Sequence, residues 1–174
     1  ANTWALGTPA KDVIIGAASG TNAWVTGGLG TTDYANGEQS YVVSPCFDLT
    51  TLSTPVVRMD IWWEAETGFD GVALQSSVDG GASWQTIGSF GDPNFWYNQT
   101  SIDGAPGGSA DGWSGRNGLG SNGWVKAEHE LDGLGGMSSV IFRIAFGADI
   151  SLTDDGFAFD NFEIFQKPPQ NAMA

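Results

Sequence analysis

Hydrophobic and polar residues alternate along much of this chain, in short runs that glycine-rich turns separate. Alternation with a period of two places successive side chains on opposite faces of a β-strand. Between Val57 and Trp63 the odd-numbered apolar residues share one face, and Arg58, Asp60 and Trp62 share the other. The first face is predicted to line a core, and the second to form a solvated surface.

Eight segments of this kind, rich in β-branched and aromatic residues, predict strands. The last segment carries polar residues on both faces, so its orientation stays open. Helical periodicity is almost absent, and 26 glycines are spread between the segments as turn residues. The spacing predicts an all-β fold, an antiparallel β-sandwich of jelly-roll type. The predicted strands are residues 13–15, 40–43, 56–63, 71–77, 84–87, 124–131, 139–146 and 157–165.

The length of 174 residues fits one domain with a sizeable two-layer core. The sandwich is predicted to span residues 1–166, and the polar, proline-containing segment 167–174 is predicted to be a linker or tail. No apolar run approaches the roughly 20 residues that cross a bilayer, so membrane insertion is not expected. Since the chain begins at Ala1 rather than at methionine, we interpret it as a mature or excised segment.

Acidic residues outnumber basic ones by 20 to 6, which gives a formal net charge of −14. This charge repels polyphosphate backbones and anionic lipids, so nucleic acid and acidic membranes are not expected partners. It favours a structural Ca²⁺ ion, which binds carboxylate and carbonyl oxygens. Cys46 is the single cysteine; it cannot form an intrachain disulfide, and we predict that it is a small buried residue.

Three carboxylates are predicted calcium ligands. Asp160 lies between aromatic neighbours, where an unpaired charge would be costly. Glu38 follows an Asn-Gly turn and Asp70 precedes a glycine, both near strand starts, where carbonyl oxygens can complete a shell of six to eight ligands. The alternative for Asp160 is a solvated or hydrogen-bonded side chain.

Aromatic residues indicate a ligand-binding surface better than the carboxylates do, because sugar rings stack on flat side chains. One predicted binding surface is a polar sheet face with two tryptophans, and another is an aromatic patch in the long segment 92–123. Aromatic residues in such a segment also commonly attach it to the sandwich. The candidate ligand-binding residues are Trp62, Trp124, Arg58, Asp60, Gln75 and Arg143 on the sheet, and Trp96, Tyr97 and Trp113 in the long segment.

Signatures of catalysis are weak. The chain lacks a nucleophile elbow, a P-loop and a dinucleotide-binding fingerprint. His129 is the one histidine and lies in an alternating segment, which is typical of a packed strand residue. Residues 77–84 match an Asp-box hairpin, in which Asp79 closes the turn; this motif marks a fold rather than an activity. The chain is therefore predicted not to be an enzyme.

Four motifs follow one another along the chain: residues 22–24 (NAW), 44–50 (SPCFDLT), 74–84 (LQSSVDGGASW) and 155–161 (DGFAFDN). Together they resemble the jelly-roll modules of reelin-type repeats and MAM-like domains, of the kind found in secreted and surface proteins of Bacteroidetes-type bacteria. The resemblance covers nearly all of the chain before Lys167. It implies two antiparallel sheets, a calcium ligand at Asp160 and a secreted or cell-surface location, but no particular ligand.

These observations predict a non-catalytic extracellular binding module, carbohydrate-binding or adhesive, that structural calcium stabilises. The expected partner is a glycan. The alternative is a structural or protein–protein interaction module within a larger secreted protein, in which case the partner is a neighbouring domain and the tryptophans of the polar face form the interface.

Overall fold

The computed structural model describes residues 1–170, which form two antiparallel β-sheets packed face to face. One sheet has the strand order β1-β2-β9-β4-β7, and the other has the order β3-β8-β5-β6. The predicted antiparallel β-sandwich is thus confirmed. The strands are β1 (Ala5–Gly7), β2 (Ala23–Val25), β3 (Gln39–Val43), β4 (Pro55–Glu64), β5 (Gly71–Ser77), β6 (Gln85–Thr86), β7 (Val125–Glu130), β8 (Ile141–Gly147) and β9 (Gly156–Gln166), with a single 3₁₀ turn at Pro106–Gly108.

The core lies between the two sheets and is built from the inward faces of β4, β5, β8 and β9. Met59 and Ile61 of β4 are fully buried, as the alternation predicts. From the other sheet, Leu74 and Phe142 meet them. Burial of each such side chain contributes about 1.5–3 kcal/mol, so this layer is the main source of stability.

A β-bulge in β9 explains why its sequence pattern gave no clear orientation. The β4–β9 register shifts between Arg58 and Asp60, and Asn161 of β9 adopts a positive φ of 51°. The extra residue reverses the alternation. Phe159 before the bulge and Phe162 after it therefore both pack against the core, although they are three residues apart.

The predicted strand at residues 13–15 is wrong, and the short strands β1 and β2 take its place in the sheet. The backbone N–H groups of Val13 and Ile14 both donate to Oδ2 of Asp155, at 2.7 Å each. Ile14 is fully buried in a second, smaller cluster with Val25 and Ala158. The N-terminal segment therefore covers part of the outer face of the five-stranded sheet.

The long segment 92–123 is attached to the sandwich by its aromatic residues. Trp96, Tyr97 and Trp113 are all buried in the main core. The Tyr97 hydroxyl accepts from the backbone N–H of Leu74 at 3.0 Å and donates to its carbonyl at 3.1 Å. Side chains that are at most 3% exposed cannot stack on a sugar, so these three have the alternative, structural role.

The Asp-box hairpin between β5 and β6 has the predicted structural role. Asp79 accepts hydrogen bonds from the Ser77 hydroxyl at 2.7 Å and from the Ser83 backbone N–H at 2.9 Å. Gly80 and Gly81 supply positive φ angles of 72° and 92°, which other residues adopt only with strain. The turn thus fixes where Trp84 emerges beside the sheet.

Cys46 is exposed, so the prediction of a buried cysteine is wrong; it lies in the connection after β3, where its Sγ is 3.2 Å from the Ser139 hydroxyl. The final strand ends at Gln166, and residues 167–170 add no strand. The remainder of the predicted tail, residues 171–174, lies outside the described residues. Within residues 1–170, no helix has the length and apolar character needed to cross a membrane.

Candidate functional site

The outer face of the five-stranded sheet carries the two tryptophans that the sequence favoured. The rings of Trp62 and Trp124 lie 5.9 Å apart at an interplanar angle of 80°, edge to face. Both are half-buried and pack against the cluster of Ile14, Val25 and Ala158. Their shape is that of a small packed cluster, not of the coplanar platform on which sugar rings stack.

The charged residues of this face are paired with one another. Arg58 contacts Glu163 at 2.7 Å and Glu128 at 3.5 Å. Asp60 accepts from Lys126 at 2.9 Å and from the Asn161 amide at 2.7 Å. The two predicted ligand-binding charges of β4 thus already have intramolecular partners.

Gln75 and Arg143 do not share a surface with these tryptophans, and this part of the sequence prediction is wrong. Gln75 lies on β5 and Arg143 on β8, where the two residues face each other directly. Trp62 lies on β4 in the other sheet. Alternation shows which residues share a strand face, but it does not show to which of two sheets a strand belongs.

On the outer face of the four-stranded sheet, Arg143 is held between two aromatic rings. Its guanidinium carbon lies 4.2 Å from the Tyr41 ring centroid and 4.4 Å from that of Trp84. Its Nε donates to Oε1 of Gln75 at 2.7 Å, and the Gln75 amide donates to the Thr86 hydroxyl at 3.1 Å. We call Tyr41, Gln75, Trp84 and Arg143 the arginine stack.

Sequence reasoning missed the two aromatic members of the arginine stack. Tyr41 reaches Arg143 because β3 pairs with β8, and Trp84 reaches it because the Asp-box returns the chain beside β5. These pairings join segments up to about 100 residues apart. The sequence showed only that each of these aromatic residues lies in a predicted strand next to polar positions. That pattern is common in any sheet, so it did not indicate a site.

Glu38, a predicted calcium ligand, has its carboxylate filled by hydrogen-bond donors. It is fully buried. It accepts from the backbone N–H groups of Thr3 and Ala35, both at 3.0 Å, and from the hydroxyls of Thr3 at 2.9 Å and Ser40 at 2.7 Å. Such a set of donors satisfies the oxygens of a buried carboxylate and stabilises its charge.

Asp160, the second predicted ligand, lies on the outer face of β9 and is half-buried. Its carboxylate accepts from the backbone N–H groups of Ser19 at 3.0 Å and Asn161 at 2.7 Å. It belongs to no group of three clustered acidic, histidine or cysteine side chains among residues 1–170. The structure therefore does not bring Asp160, Glu38 and Asp70 together.

Asp70, the third predicted ligand, lies in a group with Glu66 and Asp149, which we call the acidic triad. Each of the three residues places a carboxylate oxygen within 4.8 Å of the other two. The turn after β4 positions two of them, because the Asp70 N–H donates to the Glu66 carbonyl at 2.9 Å across Gly68, whose φ is +80°. The Asp149 N–H donates to Oδ1 of Asp70 at 2.7 Å and so brings the third alongside.

The acidic triad combines three carboxylates with one basic side chain nearby, Arg116, which lowers the pKa of Glu66 against the larger effect of burial. Burial raises the pKa of Asp70 to about 6, and burial, with Asp149 nearby, raises the pKa of Glu66. Glu66 is 8% exposed, and its Oε2 is buried without a hydrogen-bond partner among the described residues. A metal ion that binds oxygen ligands would satisfy this atom and favour the ionised carboxylates. The triad is thus a group that can hold a metal ion.

His129 is half-buried in β7 and packs against the Trp96 ring at 4.8 Å. Its Nε2 lies 2.8 Å from Oδ2 of Asp92, and its Nδ1 lies 2.6 Å from the Glu130 carbonyl. Both ring nitrogens face acceptors. Neither ring nitrogen is hydrogen-bonded to a serine, threonine or cysteine side chain, so the histidine is not paired with a nucleophile among the described residues.

Comparison with protein-family models gave no match, and neither did comparison with curated proteins. Among solved structures, the chain is similar to a cleaved adhesin domain of Lys-gingipain from Porphyromonas gingivalis. The two share 15% sequence identity and a TM-score of 0.47, over 96% of this chain and 85% of the other.

Proposed function

We propose that this chain is a non-catalytic binding module of a secreted or cell-surface protein, which binds carbohydrate and thereby acts in adhesion. The observation that carries the proposal is the arginine stack, an aromatic and polar surface built on rigid strands. The sandwich of residues 1–166 supports this surface, and the segment 167–174 serves as a linker or tail.

The arginine stack has the side chains that sugars require. Tyr41 is 37% exposed, and its ring provides an apolar face for the C–H groups of a sugar. Arg143 supplies donors for ring oxygens and hydroxyls. Since the strands hold these groups in place, binding orders few side chains and loses little conformational entropy.

The structure gives catalysis little support. Hydrolysis of a glycosidic bond requires two carboxyl groups facing each other across the sugar. In the acidic triad the carboxylates are instead gathered within 4.8 Å of one another at the base of a turn. His129, the one histidine, is engaged on both ring nitrogens.

We assign calcium to the acidic triad, with Glu66, Asp70 and Asp149 as ligands. Three carboxylates without nitrogen or sulfur donors favour a hard divalent cation, and calcium accepts irregular oxygen shells more readily than magnesium does. Extracellular modules commonly bind calcium at about 10⁻⁴ to 10⁻³ M, which fits the proposed location.

A glycan array tests the proposal, with the wild-type protein, Tyr41→Ala and Trp62→Ala each measured with calcium and with chelator. We expect glycan binding by the wild type, its loss in Tyr41→Ala, and its retention in Trp62→Ala, whose side chain lies on the other sheet. Loss in Trp62→Ala alone would place the site on the five-stranded sheet. No binding to any glycan would refute the carbohydrate proposal.

One observation favours the second candidate, an interaction module. An apolar cleft of about 320 Å³ opens between the sheets beside the edge strand β3. Trp24, Val43, Phe47 and Phe162 line it, and Val43 is exposed. An apolar cleft of this kind suits a neighbouring protein domain. An absence of binding to every glycan on the array would favour the interaction module.

A further inference from the structure

We propose that the arginine stack selects sugars that carry a carboxylate, such as uronic or sialic acids. This inference rests on the proposed function and specifies its ligand class. The geometry points to Arg143 as the residue that binds the carboxylate, with Tyr41 and Trp84 holding the guanidinium in place.

Arg143 has no carboxylate partner within residues 1–170, although the chain has 20 acidic residues and only six basic ones. Each of the other five Lys and Arg side chains contacts either a carboxylate or several backbone carbonyl oxygens. Arg143 is the one arginine of residues 1–170 without an ion pair. The other pairs are Arg58 with Glu128 and Glu163, Arg116 with Asp154, Lys126 with Asp60, Lys167 with Glu130, and Lys11 with the carbonyls of Gly28, Gly30 and Thr32.

The guanidinium of Arg143 is positioned with its terminal nitrogens free of partners among the described residues. Only Nε is used there, by Gln75 at 2.7 Å. Gln75 is itself held by Thr86 at 3.1 Å and by the Gly107 carbonyl at 3.0 Å. The Tyr41 and Trp84 rings pack against the guanidinium, with its carbon 4.2 and 4.4 Å from their centroids. A planar fork of this kind matches the two oxygens of a carboxylate.

The surrounding sheet face lacks negative charge. The strand positions that share it with Arg143 include no Asp or Glu. Burial lowers the pKa of Arg143, which means that its charge is poorly solvated there. An anion would relieve this cost. By contrast, the outer face of the five-stranded sheet carries the carboxylates of Asp60, Glu128, Glu130, Asp160 and Glu163.

The position of Arg143 favours a sugar over an acidic peptide. Peptides that bind sheets usually add a strand at an edge, whereas Arg143 lies on β8, inside the sheet between β3 and β5. The rings of Tyr41 and Trp84 flank it on both sides. A ring with one carboxylate can place its charge on Arg143 and its C–H face on a neighbouring aromatic side chain.

Isothermal titration calorimetry with two matched pairs of probes tests the inference. The pairs are trigalacturonate with its methyl ester, and sialyllactose with lactose; within each pair only one member is charged. We expect the wild type to bind at least one acid roughly 10- to 100-fold more tightly than its neutral partner, the range for a hydrogen bond to a charged group. A pentaglutamate peptide serves as the non-sugar anion.

The variants separate charge from geometry. Arg143→Gln is expected to lose this preference, and Arg143→Lys, which keeps the charge without the fork, to lose most of it. Lys126→Gln makes the same change in net charge on the other sheet and is expected to bind as the wild type does. Thermal unfolding of each variant shows whether the sandwich is intact.

The possible outcomes distinguish this inference from the proposed function. Equal binding of acids and neutral partners, or array binding to neutral glycans alone, would overturn the acidic class and leave the carbohydrate proposal in place. Pentaglutamate binding as tight as that of the acidic sugars would overturn the sugar class. Binding to no sugar by calorimetry or on the array would overturn both.

Discussion

Glu38 and the acidic triad lie at the same end of the sandwich, where β3 and β5 begin and β8 ends. The two places differ in how many hydrogen-bond donors surround the buried negative charge. Glu38 is fully buried and accepts hydrogen bonds from Thr3, Ala35 and Ser40. In the triad, Glu66 leaves one buried oxygen without a partner among residues 1–170. The sequence marked Glu38 and Asp70 alike as calcium ligands, and the structure distinguishes them.

The comparison shows that burial of a carboxylate does not by itself indicate a metal. Donors from the N-terminal segment make Glu38 a structural anchor for that segment. In the triad, Asp70 and Asp149 accept hydrogen bonds, but the buried Oε2 of Glu66 has no donor among the described residues, so this carboxylate favours protonation or a cation. The distinguishing observation is the balance of donors and acceptors around each oxygen.

The largest expected effect comes from Glu38→Ala. Removing the carboxylate leaves the part-buried N–H groups of Thr3 and Ala35 without an acceptor, and hydrogen bonds to a charged group are each worth about 1.5–3 kcal/mol. We expect a loss of about 3 kcal/mol or more in the free energy of unfolding by urea, the same with and without calcium. A larger loss of stability with calcium than with chelator would show that Glu38 is a metal ligand.

Calcium is expected to produce the next largest effect. At 100 times its dissociation constant, a ligand that binds only the folded state adds about 2.7 kcal/mol, and differential scanning calorimetry would show this as a higher Tm. Asp70→Asn is expected to abolish the increase. Asp160→Asn, at the ligand that the sequence favoured, is expected to retain it; the reverse result would move the metal to Asp160.

The pH dependence of the calcium-free protein is expected to be smaller. The pKa of Asp70 is raised from 3.8 to about 6 in the folded state, so the folded protein binds this proton more tightly than the unfolded chain does. The stability that Asp70 contributes is therefore full below about pH 4 and is lost as pH rises to 6 and beyond.

We expect this loss to be roughly 1–2 kcal/mol after allowance for solvent screening, measured by urea unfolding in chelator from pH 4 to 7. Asp70→Asn should flatten this part of the profile relative to the wild type. A wild-type profile that rises over the same range, with the variant parallel to it, would contradict the assignment.

Asp79→Asn is expected to have the smallest effect on stability. It separates the contribution of hydrogen-bond donors from the contribution of burial. Like Glu38, Asp79 accepts several hydrogen bonds, mainly from Ser83 and Ser77, and these lower its pKa to about 2; unlike Glu38, it lies in an exposed turn. Its contribution is present above pH 4 and is lost as pH falls through 2. Asp79→Asn should therefore lower the Tm slightly at pH 7 and not at pH 2. An effect as large as that of Glu38→Ala would show that burial is unimportant.

Much of the fold followed from local pattern. Alternation in β4 and β8 predicted which residues line the core, and the Asp-box predicted the hairpin before Trp84. The N-terminal strand was misplaced because the amides at Val13 and Ile14 bond to Asp155, some 140 residues away. A periodicity argument has no access to such a partner.

The candidate sites were predictable only in part. Asp70, Gln75 and Arg143 were identified as polar residues near strands, but their neighbours were not. Glu66 joins Asp70 through a local turn, a signal that the sequence did contain, whereas Asp149 joins through the end of β8. The partners of Arg143 depend on strand pairing.

The alternation of the strands, the acidic charge and the single cysteine follow from the sequence alone, because they depend on residue identity and nearest neighbours. The sheet to which each strand belongs, the bulge that turns Phe162 inward and the donors around each carboxylate were evident only in the folded chain. Those properties arise from contacts between distant segments. For this reason, Glu38 became an anchor, Asp70 became part of an acidic triad that can hold a metal ion, and Arg143 was left without a carboxylate partner among the described residues.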